Sequence, residues 1–165
     1  MMRTLLLAVL LFAASPLAWL HAADEQVTTA MVSPVDGDRI PRDGVDVCLQ
    51  DGRYCSIAPV VGRVSQGYWP FLAVRPIGSS PRFWIQGRIE QVAADRHFEG
   101  EASLGANENG AGEFFDLFII AHPDPARFGA FDILEDIPPE CSPAASATPH
   151  PICIVSAPVT IFRTR

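Results

Sequence analysis

A chain of 165 residues, 48% hydrophobic and 19% charged, is long enough to bury one core. Its 12 basic residues are all arginine and face 19 Asp and Glu, a net charge of −7, which disfavours nucleic acid and anionic lipid surfaces as partners. With no lysine anywhere, a phosphate-loop lysine, a Schiff-base lysine and a Ser-x-x-Lys dyad are excluded.

Residues 1–23 have the layout of a secretory signal peptide. Arg3 supplies the positive start, Leu5–Trp19 is almost wholly apolar, and Leu20-His21-Ala22-Ala23 brings small residues up to the polar Asp24-Glu25. An uncleaved anchor is the alternative, but the run falls short of the ~20 residues a span needs and contains Pro16. Cleavage after Ala22 or Ala23 leaves a single domain, 24–165, periplasmic or secreted and without a membrane span.

Val27–Val32 reads as a first strand, ended by Ser33-Pro34, and the turn-rich 35–44 follows along an edge. Asp36, Asp38 and Asp43 suggest solvated turns rather than a calcium loop, for which a downstream bidentate Glu is missing. Val45–Leu49 and Tyr54–Ala58 read as a hairpin around Asp51-Gly52. Val60–Val64 is the next strand, and Tyr68–Pro76, aromatic and β-branched, is the central one. Phe83–Gln86 and Arg88–Val92 are two short strands or one broken at Gly87. Over Arg96–Ala102 the alternation turns Phe98, Gly100 and Ala102 inward and His97, Glu99 and Glu101 outward. Glu113–Ala121 returns as the neighbour of the central strand. Asp124-Pro125 predicts a helix start, with Phe128, Phe131 and Leu134 at helical spacing before Pro138-Pro139. Pro158–Arg165 alternates as the last strand.

Cys48, Cys55, Cys141 and Cys153 fit two disulfides in an oxidising compartment. Of three pairings the local ones are preferred, Cys48–Cys55 across the Asp-Gly turn and Cys141–Cys153 within a Pro-rich loop at 138–157. Loops that short contribute roughly 2.5–3 kcal/mol each in the chain-entropy model. Neither interval has the Cys-x2–4-Cys spacing of a zinc site.

Seven to eight short strands with frequent turns, plus one short helix before the last strand, predict an all-β fold, an antiparallel sandwich. Ser-Pro-x-Asp-Gly from Ser33, Val-x-Gly-x-Val from Val60, Tyr68-Trp69-Pro70-Phe71-Leu72-Ala73-Val74-Arg75-Pro76, a Gly-rich turn and Phe114-Phe115-Asp116-Leu117-Phe118-Ile119-Ile120-Ala121 follow in that order. Over Ser33–Ala121 this resembles bacterial extracytoplasmic Ig-like or fibronectin-type accessory domains. The resemblance implies an Ig-like sandwich and a binding habit, with Trp69 where such domains bury a Trp, and it carries over no catalytic residue.

Candidates for chemistry are few. His97, Glu99 and Glu101 project ~7 Å apart from one strand face and would need a further ligand to hold a metal. His122 and Asp124 could be two members of a hydrolytic triad, but no nucleophile is identifiable and the Asp suits a cap. His150 sits between prolines in a loop. Gly62–Gly67 is one residue too long for a nucleophile elbow. No cofactor is expected.

Both faces of the two central strands are apolar, although a sandwich sheet needs only its inner face so. Either the Pro125–Ile137 helix covers the outer face or the face docks another protein or a second copy. The expected binding residues are Tyr68, Leu72, Phe114, Phe118, Phe128 and Phe131. The function expected is an exported, non-enzymatic module that binds an envelope or extracellular protein. The alternatives are an inhibitor or immunity protein using the acidic Glu135–Cys153 loop, and a small secreted metal-binding protein or hydrolase.

Overall fold

The computed structural model describes residues 28–41, 46–48, 53–106, 111–143 and 151–164. The expected signal peptide, Asp43, His150 and the side chains of Cys48 and Cys55 lie outside the described residues. In chain order the strands are β1 (Thr29–Ser33), β2 (Arg39–Ile40), β3 (Asp46–Cys48), β4 (Arg53–Val64), β5 (Trp69–Ile77), β6 (Phe83–Arg88), β7 (Gln91–Val92), β8 (His97–Ala106), β9 (Phe114–His122), β10 (Ile133–Leu134), β11 (Cys141–Pro143), β12 (Cys153–Val155) and β13 (Val159–Arg163). Seven of them have five residues or more; the rest are short pieces of two or three residues.

Two sheets result. The first runs β1-β4-β8-β7, with β3 also on β4, and is antiparallel throughout. The second runs β10-β6-β5-β9, and β9 is then flanked by β13 over Phe114–Leu117 and by β12 over Ile120–Ala121. Its two parallel pairings are β11 with β12 and β13 with β2. Prolines fall where the ladder can spare a donor. Pro59 lies between the stretches of β4 that pair with β3 and with β1, and Pro70 and Pro76 lie outside the Phe71–Val74 stretch that pairs with β6.

The central pair is in uninterrupted register from Trp69↔His122 to Ile77↔Phe114. Period-two alternation therefore sorts its side chains onto two faces. Leu72, Val74, Phe115, Leu117, Ile119 and Ala121 face the first sheet and pack with its Val60, Val64, Phe98, Ala102 and Leu104. Phe71, Ala73, Phe118 and Ile120 form a second cluster on the opposite face, with Phe83, Ile85, Phe128, Val155 and the Cys141–Cys153 disulfide. Trp69 is only partly buried and packs with this second cluster, under the Arg88 guanidinium 5.0 Å from its ring, so it is not the inter-sheet Trp the resemblance implied.

Among the described residues no helix covers that outer face. Residues 123–132 form turns instead, ahead of β10. The Asp124 carboxylate does accept from Ala126 N (2.9 Å), but the next turn is broken. Asp132 accepts from Gly129 N, Phe131 N donates to Ile85 O (2.6 Å) and Ile85 N donates to Asp132 O (2.9 Å). Backbone groups that a helix would satisfy internally are taken by the edge of β6, and a cluster of edge-on Phe71–Phe128 and Phe83–Phe118 contacts gains the apolar side chains.

Tyr68 closes the turn before β5; its hydroxyl donates to Pro151 O at 2.6 Å, and burial pushes the phenol above its ordinary pKa. A raised phenol pKa means the folded chain holds its proton longer than the unfolded one, so this contribution is complete below about pH 10 and is lost as pH rises past it. Tyr68→Phe is expected to lower stability by about 1 kcal/mol at pH 8. That gap should shrink towards pH 11 in parallel urea titrations. A gap that stays constant with pH would contradict the assignment.

Candidate functional site

Four of the six side chains expected to bind are interior. Tyr68 and Leu72 belong to the inter-sheet core, and Phe118 and Phe128 to the cluster sealed by the chain's own 123–140 segment. A buried side chain presents no docking surface, so the aromatic sheet face is not the exposed feature. Phe114 and Phe131 are exposed. Phe114 lies against Phe162, whose ring also carries Arg39.

The open feature lies between the edges of the two sheets, where β6 of one faces β8 of the other. Gly87, at φ 114°, follows a shift of register within β6, and beyond Arg88 the Ile89-Glu90 link carries the chain across to β7. Ile89 is buried, donates its N–H to Pro70 O (2.8 Å) and lies against Gly100, closing one end. Farther along, the Gln86 side chain bridges the edges: its Nε2 donates to Ser103 O and Ser103 N donates to its Oε1, both at 2.6 Å. A cavity lies on each side of this bridge. One, of about 470 Å³, is lined by Leu72, Ile89, Glu99 and Glu101 among others. The other, of about 720 Å³, is walled mainly by apolar Val74, Pro76, Trp84, Leu104 and Phe115, with Phe131 at its mouth. Both volumes lie in the range of ligand-sized sites.

The rim is unusual. Phe131 is 74% exposed at φ 71°, a left-handed conformation that bulky residues rarely adopt. The bonds from Phe131 N to Ile85 O and from Gly129 N to Asp132 hold it there. Beside it, β10 pairs Ile133 with Trp84, and both are exposed. Of the charged groups lining the two cavities, Arg88 is held by Glu90 through contacts of 2.8–3.0 Å and the half-buried Glu113 accepts from Ser79 Oγ at 3.4 Å, whereas Glu99 and Glu101 stand exposed on the outer face of β8.

The remaining candidates have structural work. His97 Nδ1 meets Asp95 at 2.7 Å and its Nε2 accepts from Arg63 at 2.5 Å, so both ring nitrogens are occupied. That hydrogen bond holds the Asp95 carboxyl below its ordinary range. Among the described residues no three His, Cys, Asp or Glu side chains gather as a metal site. His122 Nδ1 accepts from Asp124 N (3.0 Å), within the turn that ends β9. Asp36 and Asp38 accept from Thr160 N and Val35 N, as turn aspartates do.

Trp84 and Gln86 are the residues that sequence reasoning missed. The alternation Trp84-Ile85-Gln86 was visible, but what Gln86 meets lies 17 residues away on another sheet. The sequence matches no protein-family model and no curated protein.

Proposed function

We propose that this chain is an exported binding module with an Ig-like sandwich fold and no catalytic activity of its own. It docks an envelope or extracellular protein through the Trp84–Phe131–Ile133 rim and the cleft behind it. The observation that carries this reading is Phe131. A large aromatic held at positive φ with most of its surface in water gains little for the fold, and strain of this kind concentrates at ligand clamps. Aromatic anchors next to a concave apolar surface are typical of binding hot spots. The disulfide at Cys141–Cys153 suits an oxidising compartment.

Phe131→Gly separates the two roles. Glycine adopts positive φ freely, so the variant should be about 1 kcal/mol more stable than wild type by urea titration. Its affinity for the partner, purified after cross-linking in an envelope fraction, should fall by about 30-fold or more. A variant that binds as tightly as wild type would refute the rim as the docking element.

A further inference from the structure

We infer that the partner engages the cleft with an extended segment alternating apolar and basic residues, which adds as a strand to the open edge of β8 in place of the Gln86 side chain. This rests on the protein-binding reading above and gives the partner's chemistry.

On one side β8 is paired with β4 from Arg63↔His97 to Cys55↔Ala106. On its other side β7 reaches only Phe98 and Glu99. Among the described residues no strand continues along that edge past Glu99. Ser103 sends both its N–H and its C=O to this edge, since Gln86 holds both. In an antiparallel ladder the preceding residue of the same phase, Glu101, presents its backbone groups the same way, while beyond Ser103 the register shifts and Gly105, at φ 95°, breaks the phase. A primary amide is chemically a detached peptide group with a donor and an acceptor. Gln86 therefore already shows how a peptide backbone bonds here. The regular stretch Gly100–Ser103 spans roughly 13 Å, room for a short added strand.

Side chains of an added strand would alternate. Those facing inward would enter the two cavities beside Gln86, against Ile89 at one end and Val74, Trp84 and Leu104 at the other. Those facing outward would lie beside Glu99 and Glu101, where opposite charges across a strand pair are favourable and like charges are not. A second copy of this chain, at net charge −7, brings the wrong sign; an apolar–basic segment brings the right one.

The probe is a capped seven-residue peptide alternating valine and arginine, added to the full chain with amide hydrogen exchange followed residue by residue. Exchange at Glu101 should be fast in the free protein and slow at least ~10-fold on binding. Binding should weaken at least ~10-fold for a valine–glutamate peptide, and for a valine–arginine peptide N-methylated at the residues that face β8. Gln86→Ala removes the competing amide and should tighten binding about 10-fold, the value of two displaced hydrogen bonds. Strand addition is overturned if the peptide quenches Trp84 while Glu101 exchanges unchanged, or if the N-methylated peptide binds equally; docking at the rim survives either result. Protection that grows with protein concentration alone identifies a second copy and also overturns it. Protected edge amides together with partner binding indifferent to Phe131→Gly would instead support strand addition and remove the rim.

Discussion

Gly62→Ala is expected to destabilise the domain by about 3 kcal/mol, and Gly62→Val to leave it unfolded at ambient temperature. Gly62 sits near the end of β4, flanked by Met31 of β1 and Phe98 of β8. A Cβ placed there would stand 2.3 Å from Phe98 Cζ and 2.4 Å from Ala30 O. The first neighbour is a fully buried ring and the second is backbone, so neither can move away cheaply. The absent side chain is the space the Phe98 ring occupies, an aromatic lying across a strand glycine. Urea midpoints would measure the loss, and Phe98→Leu in the Gly62→Ala background should recover part of it. A Gly62→Ala protein within ~0.5 kcal/mol of wild type would mean the ring is free to move, which contradicts the packing described.

Arg163→Ala is expected to cost roughly 3–5 kcal/mol. Arg163 is 1% exposed, the largest fully buried side chain among the described residues. It projects from β13 of the second sheet into the first, where its Nε donates to Ser56 Oγ on β4 (2.7 Å) and its Nη1 to Leu104 O on β8 (3.4 Å). Truncation would strand a buried hydroxyl and a buried carbonyl and leave a cavity between the sheets. Ser56→Ala alone should cost about 1 kcal/mol, and the double variant should be less unstable than the two losses added, because the residues share one bond. Strict additivity would show that the bond contributes nothing.

Much of this fold is legible in the sequence because much of it is local. Alternation in 69–77 and 114–122 identifies the two central strands and the content of each face. The Asp-Gly between Cys48 and Cys55 announces the β3–β4 hairpin, and the short interval between Cys141 and Cys153 announces their pairing. Alternation cannot say which face meets another sheet. Tyr68 and Leu72 therefore looked as available for docking as Phe118, and all three are interior. Helical spacing at Phe128, Phe131 and Leu134 was real as a pattern, but the edge of β6 offered the same backbone better partners. The cleft was out of reach for a related reason. It is made where β6 and β8 stop short of each other, and strand edges have no signature in the residues that form them.

The parallel pairing of β13 with β2 sets Phe162 beside Arg39 and Arg163 beside Ile40, joining the last strand to one near the start of the described chain. Thr160 N donates to Asp36 Oδ1 across 124 residues, and Thr164 Oγ1 to Ile40 O across as many. Closing so long a loop comes late and slowly in folding, because its entropy is spent before any contact repays it. During synthesis the second sheet cannot be completed until Val159–Arg163 has emerged. Until then Leu117 and Phe115 of β9 lack their neighbours Val159 and Ile161. The second sheet is thus a late product of folding, closed only when β13 seats between β9 and β2.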